Sequence, residues 1–330
     1  MLLSCFRARF QQLSGDLDTH LSSLMRRMAH PECVVLARLH APTGRIGQRR
    51  RGRTLLSPDR KAGPVGWKWR SALIDLHNHL LPGVDDGART IDVTRRMLDR
   101  FAQLGYQTIV ATPHLHDRLD PAYRATLGER LDVVAREARA TGLTVRGGYE
   151  VFLTPDVPRR LAEGETSTLA GTRSILVELP FVGWPAYTET AIFSLQAAGY
   201  RPILAHPERY QAVQKDPRLA LELARRGVLL QLTLRSLVGS SRQIQRTSAG
   251  LLAAGAIALV ASDAHGDDHR LAAVPDALRR LADLVGTEHA DRIARLNPQA
   301  ILDDGPIAQP GPIAESDPGG SGPRWWRRRR

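Results

Sequence analysis

The sequence from Ser71 onward predicts an α/β protein built as a closed βα barrel, and three observations carry that prediction. Short β-branched and aliphatic runs alternate with helical stretches, several helices end in glycine, and six of the seven runs finish in a residue able to bind a metal. Alternation of this kind is the signature of βα units around a parallel sheet.

The seven runs are Ala72 to His77, Thr108 to Thr112, Thr144 to Val151, Ser174 to Leu179, Pro202 to His206, Val228 to Thr233 and Ile257 to Ser262. The helical stretches between them are Thr90 to Leu104, Tyr123 to Ala140, Glu189 to Ala198, Pro217 to Arg226, Arg242 to Ala254 and Arg270 to Val285. Gly105, Gly142, Gly199, Gly227 and Gly255 follow helices, where a left-handed residue stops the helix at little cost. Regular repetition of this unit favours a closed barrel over an open sheet.

Charge separates the body from its ends. The formal net charge is +12, but residues 1–70 hold 14 Lys/Arg against 4 Asp/Glu, and the tail from Arg324 holds five arginines and no acid. Residues 71–323 carry the other 27 bases against 30 acids, a net of −3. A nucleic-acid partner is therefore not expected for the body. Residues 1–70 are read as a disordered basic extension or as the product of a start codon placed too far upstream. Residues 71–304 are read as the catalytic domain, and residues 305–330, rich in Pro, Gly and Ser, as a disordered basic tail. Cys5 and Cys33 both precede the body, so no disulfide braces it and no thiol there acts as nucleophile or ligand. That fits a cytoplasmic location. No apolar run approaches the roughly 20 residues needed to cross a bilayer.

Candidate chemistry sits at the ends of the runs. In Asp75-Leu76-His77-Asn78-His79, alternation places Asp75, His77 and His79 on one face, where two imidazoles can grip one ion. Later runs end in Thr112-Pro113-His114-Leu115-His116, Gly148-Tyr149-Glu150, Glu178-Leu179-Pro180, His206-Pro207-Glu208-Arg209 and Ser262-Asp263-Ala264-His265. In a βα barrel those ends converge on one rim, where such enzymes build their active sites. Charged groups at the ends of buried strands are costly to desolvate unless paired or coordinated. The set holds imidazole and carboxylate without thiolate, which suits Mn²⁺, Zn²⁺ or Fe²⁺. There are more candidates than one catalytic ion needs, so two or three ions with a bridging carboxylate are expected. Asp85 and Asp86 are read as one further ligand and one turn former. Arg209 and Arg270 lie a few residues past ligand-bearing runs, where a guanidinium can hold phosphate oxygens bidentately.

These residues resemble the bacterial metal-dependent tyrosine-protein phosphatases of the polymerase-and-histidinol-phosphatase (PHP) superfamily, which act in capsule and exopolysaccharide synthesis. The resemblance runs from about Ile74 to Leu302. It rests on the segment from Asp75 to Gly87, on Ala111 to His114, Gly148 to Glu150 and Glu178 to Pro180, and on Ala205 to Tyr210 and Ser262 to His265. It implies a distorted (β/α)7 TIM-like barrel, the PHP fold, with three metal ions usually supported by manganese. The implied ligand sets are His77, His79, Glu150 and Asp263 for one ion, Asp86 or Asp85 with His114 and His265 for a second, and Glu150, Glu178 and His206 for a third. Arg209 and Arg270 are implied to hold the phosphoryl group during hydrolysis. The implied substrate is phosphotyrosine on the tail of a bacterial tyrosine kinase, with no nucleic-acid partner and with homo-oligomerisation left open. The competing expectation keeps the metals but acts on a small phosphomonoester or a nucleic-acid phosphodiester. Two departures stand out: the family's compact form begins almost at its His-x-His, and Leu234 and Arg235 stand where small residues are more usual.

Overall fold

The computed structural model describes residues 72–116, 120–266 and 269–308. The basic extension expected over residues 1–70 lies outside the described residues, as does the tail beyond residue 308. The strands in chain order are β1 (Leu73–Asp75), β2 (Tyr106–Ala111), β3 (His114–Leu115), β4 (Thr144–Gly147), β5 (Glu150–Phe152), β6 (Ser174–Glu178), β7 (Arg201–Ala205), β8 (Leu229–Thr233) and β9 (Ile257–Ala261). Every pairing between them is parallel.

The nine strands make seven staves. β2 and β3 are one stave interrupted at Thr112 and Pro113, and β4 and β5 another interrupted at Gly148 and Tyr149. Thus the run expected from Thr144 to Val151 is two strands. Pro113 has no N–H to give to a ladder, yet the pairing resumes around it. The Gly148 N–H donates to the Ala111 carbonyl at 2.9 Å and the Glu150 N–H to the Pro113 carbonyl at 3.1 Å. One sheet runs β1-β2-β4 and the other β3-β5-β6-β7-β8-β9. Past the ends of β1 and β9, a parallel bridge pairs Asn78 with Ala264, and the Asp263 N–H donates to the His77 carbonyl at 2.8 Å. The ring of staves is thereby closed into a distorted (β/α)7 barrel.

The principal helices are α1 (Ile91–Gln103), α2 (Pro121–Arg139), α3 (Val157–Ala162), α4 (Thr188–Ala197), α5 (Gln211–Lys215), α6 (Arg218–Arg225), α7 (Arg242–Ala253), α8 (His269–Ala272), α9 (Val274–Val285), α10 (Thr287–Asp291) and α11 (Asn297–Leu302). Side chains cap three of them: Thr90 accepts from the Val93 N–H, Asp120 from Tyr123 and Ser241 from Ile244. The five glycines expected to end helices all adopt positive φ, between 65° and 87°. The helix expected from Arg270 to Val285 is broken at Ala273. Pro275 in the next turn offers no N–H to the Leu271 carbonyl, and its ring crowds that carbonyl.

A large apolar layer, including Met97, Phe101, Val134, Leu195, Leu221 and Leu281, packs helices onto the outside of the staves. A second cluster joins Ile74, Val110, Leu176, Ile203, Leu229 and Ala258. Side chains from six different staves meet in this way only inside the ring. The first residues of the expected tail also belong to the body: the Gly305 carbonyl accepts from Arg201 and the Ala308 carbonyl from Asn297. Ile307 adds to the inner cluster.

Candidate metal centre at the barrel rim

Residues at or near the ends of the staves gather on one rim. His77, His79, Glu150, His206 and Asp263 are buried there, with Glu178 at 5 % exposure. The strict alternation read from the sequence breaks on the first stave, because β1 ends at Asp75. The Asp75 carboxylate instead accepts from the Ser262 N–H and hydroxyl, both at 2.7 Å, and from Asn78 Nδ2 at 3.0 Å. It ties the first stave to the last, and burial raises its pKa to about 6 against the pull of those hydrogen bonds.

His77 and His79 present Nε2 to one point, 3.4 Å apart. Their other ring nitrogens are occupied: Nδ1 of His77 lies 2.8 Å from Gln231 Oε1, and Nδ1 of His79 lies 2.7 Å from Asp85 Oδ2. Such outer partners fix the ring orientation and leave Nε2 free for an ion. Asp85 also accepts from the Gly87 and His114 N–H groups at 2.9 and 3.1 Å. Asp86 is placed differently, with 68 % of its side chain exposed and Oδ1 at 3.4 Å from His114 Nε2 and 3.3 Å from His265 Nε2. Gly87 is what permits this hairpin, since a Cβ there would stand 2.2 Å from the His79 carbonyl oxygen.

Glu150 lies at the middle of the cluster. Its Oε1 is 2.8 Å from His206 Nε2. Its Oε2 lies 3.1 Å from His77 Nε2, 3.3 Å from His79 Nε2 and 3.1 Å from His114 Nδ1, yet it is buried with no partner at a hydrogen-bonding angle among the described residues. An orphaned carboxylate oxygen facing three imidazole nitrogens is the arrangement of a ligand atom around a cation. The residues fall into four groups that could each hold an ion: His77, His79 and Asp263; His79, Asp86, His114 and His265; His77, Glu150 and His206; and His114, His116 and Glu178. Glu178 therefore lies with His114, at 3.0 Å, rather than with His206. The register explains this: Glu178 pairs with Phe152, two residues further toward the rim than Glu150.

The electrostatics show that the centre calls for positive charge. Burial works to lower the pKa of His77, but the Glu150 and Asp263 carboxylates outweigh it and raise the value to about 9. Burial acts likewise on His79, and Asp85 and Glu150 raise it to about 10. Asp263 would be raised by burial but is held at about 2 by His77, Arg270, His206 and Arg209. His265 is lowered to about 4 by burial and by the adjacent charge of His79. The two arginines meet on Asp263, with Nη1 of Arg209 at 2.7 Å from Oδ2 and Nη1 of Arg270 at 3.0 Å from Oδ1. His206 and Asp263 both sit in the left-handed backbone region, with φ of 34° and 51°. For residues with a Cβ that conformation costs about 1–3 kcal/mol and marks functional positions.

Gln231 and Phe181 were not named from the sequence, and His116 was quoted in its run without a place in any implied ligand set. Gln231, His116 and Phe181 all adjoin the ligand groups. A polar residue inside Leu229-Leu230-Gln231-Leu232 was the available signal for Gln231, on the one stave whose end carries no ligand type. A cavity of about 590 Å³ opens beside Asp86, His114 and His116 and reaches Asp120 and Tyr123.

The family model for capsular polysaccharide synthesis, CpsB/CapC, matches residues 73–303. The chain is 34% identical over 219 residues to the tyrosine-protein phosphatase YwqE of Bacillus subtilis, covering 66% of this chain and 86% of that protein. It is 26% identical over 240 residues to the tyrosine-protein phosphatase CpsB of Streptococcus pneumoniae, covering 70% and 99%. Among solved structures it is similar to one from work on YwqE of Bacillus subtilis and CpsB of Streptococcus pneumoniae, described as unique metal-dependent tyrosine phosphatases. The TM-score is 0.66 at 32% identity, over 73% of this chain and 99% of the other.

Proposed function

The chain belongs to the CpsB/CapC family of capsular polysaccharide synthesis and is a metal-dependent tyrosine-protein phosphatase, and we propose that it acts in the cytoplasm on the phosphotyrosine-bearing tail of a bacterial tyrosine kinase, with three divalent ions, manganese first, on its rim. The observation that carries this reading is the convergence of six imidazoles and Glu150, with two arginines meeting on Asp263. Among the described residues no helix is long and apolar enough to cross a membrane.

Each neutral imidazole offers one lone pair, so His77 and His79, committed through Nδ1 to Gln231 and Asp85, each serve one ion through Nε2. His77, His79 and Asp263 would hold the first ion with Oε2 of Glu150. Asp86, His114 and His265 would hold the second, with Asp85 as an orienting partner. Glu150 Oε1 and His206 would hold the third, and Glu178 would have to turn from His114 to complete that set. When bound, the ions neutralise phosphoryl oxygens and acidify water for attack on phosphorus. Arg209 and Arg270 bind the remaining phosphoryl oxygens, where a planar guanidinium matches the geometry and takes up developing charge. The tyrosyl oxygen leaves without demanding a strong acid, because a phenol has a pKa of about 10. The catalytic unit of this proposal is the domain expected from residue 71, extended from 304 to residue 308 by the contacts of Gly305, Ile307 and Ala308, without the basic ends.

The test is hydrolysis of a phosphotyrosyl peptide and of para-nitrophenyl phosphate with Mn²⁺, expected to vanish with chelator or in His77→Ala. An intact peptide alongside cleavage of histidinol phosphate or a nucleotide would overturn the substrate assignment. Deletion of residues 1–70 and 320–330 is expected to leave the rates unchanged, whereas a nucleic-acid role for the ends would be lost.

A further inference from the structure

We infer that Phe181 is a specificity-determining residue, an aromatic wall that receives the phenyl ring of the substrate and so favours aryl over alkyl phosphate esters. The inference rests on the phosphatase reading above and adds to it the residue that recognises the ring.

Phe181 follows β6 in Glu178-Leu179-Pro180-Phe181-Val182. It is one of few large apolar side chains left open among the described residues, at 42 % exposure, and Val182 beside it is 69 % exposed. A solitary exposed apolar residue needs no explanation, but this one stands at the ligand cluster. Its ring centroid is 5.5 Å from that of His206, and the Arg209 guanidinium carbon lies 4.7 Å from its centroid. The same guanidinium reaches Asp263 at 2.7 Å. Arg209 therefore spans from the metal cluster to the ring. A phosphoryl oxygen accepting from it at about 2.8 Å would bring an esterified phenyl group alongside Phe181. Aromatic rings pair favourably at centroid separations of about 4.5–7 Å.

The wall is held in place beforehand. The Phe181 carbonyl accepts from the Gln211 N–H at 2.9 Å, and two residues earlier the Leu179 N–H donates to the Tyr210 hydroxyl at 3.0 Å. Both bonds tie the β6 end to the segment that carries His206 and Arg209, so the ring and the guanidinium form one unit. A seryl or other alkyl ester carries no ring to place there. A tyrosyl ester does, and its ring also covers the apolar surface that Phe181 and Val182 expose.

The experiment compares phenylphosphonate with methylphosphonate as inhibitors of para-nitrophenyl phosphate hydrolysis by the Mn²⁺-loaded full chain. Both carry the same phosphoryl head, and only one carries the ring. The wild type is expected to bind phenylphosphonate more tightly. Phe181→Ala should raise its inhibition constant by about fivefold to tenfold while moving that of methylphosphonate by less than about twofold. Phe181→Trp should restore the preference, and Phe181→Leu, which keeps apolar bulk, serves should the alanine variant fold poorly. An equal loss for both inhibitors would mean that Phe181 only steadies Arg209, and no change for either would mean that the ring passes elsewhere. Each of these results overturns the inference. A wild type that hydrolyses aryl phosphate but prefers neither inhibitor overturns it too, leaving the phosphatase reading intact; a wild type inert toward aryl phosphate would instead refute that reading.

Discussion

Replacement of Gln231 by leucine separates metal binding from folding. Gln231 and His77 are both fully buried, and their side chains meet at 2.8 Å across 154 residues of sequence. Leucine of similar size leaves the His77 Nδ1–H without an acceptor, a loss of about 1–3 kcal/mol. It also removes Gln231 Nε2, a buried donor with no partner among the described residues, and so recovers about as much. Net stability should change by less than about 1 kcal/mol, a shift of a few degrees in Tm for a domain of this size. Metal affinity should behave otherwise, because loss of the partner that orients a ligating histidine typically costs about 10–100-fold, or about 1.4–2.7 kcal/mol. Calorimetric titration of Mn²⁺ into chelator-stripped protein, with a thermal melt of the same sample, reads both quantities. Gln231→Glu keeps an acceptor and should retain most of the affinity. Unchanged Mn²⁺ affinity in Gln231→Leu at unchanged Tm would refute the assignment of Gln231 as the partner that aims His77.

Gly87→Ala should cut metal content and phosphatase rate together, since its Cβ would meet the His79 carbonyl at 2.2 Å and the Asp85 carboxylate at 2.9 Å; elemental analysis beside a rate assay checks it. Arg209→Lys and Arg270→Lys should each lower kcat/KM by about 10²-fold or more while metal content stays full, because an ammonium cannot replace a bidentate guanidinium. Stripping the ions should lower Tm, and Mn²⁺ at about 100 times its Kd should return about 2.7 kcal/mol of stability, read by melting curves across a metal series. Asp86→Ala, at an exposed carboxylate, should weaken metal binding without lowering the Tm of stripped protein, whereas Asp85→Ala should lower both.

Much of the barrel was legible because its parts are local. Periodicity located the staves, and glycines placed after helices mark where the chain turns back toward the sheet. Departures arose where a single residue overrules a pattern. Gly148 and Tyr149 split the stave that reads as one run from Thr144 to Val151, the stave read as ending at Thr112 resumes past Pro113, and Pro275 divides the helix expected from Arg270. On the first stave, an early strand end turned Asp75 from the metal face to Ser262. Strict alternation could not foresee that, because it assumes pleating that persists to the last residue.

The sequence by itself determined which side chains stand at the strand ends, and with them a thiol-free chemistry of imidazole, carboxylate and guanidinium. Only the tertiary structure decided how those groups are shared. It sets Glu178 beside His114, turns Asp85 to His79 while leaving Asp86 to face His114 and His265, and makes Gln231 the support of His77. It also places Phe181 against Arg209. The physical reason is ring closure: partners far apart in the chain become neighbours through parallel register and the bridge from Asn78 to Ala264, and no local pattern encodes distances across a barrel.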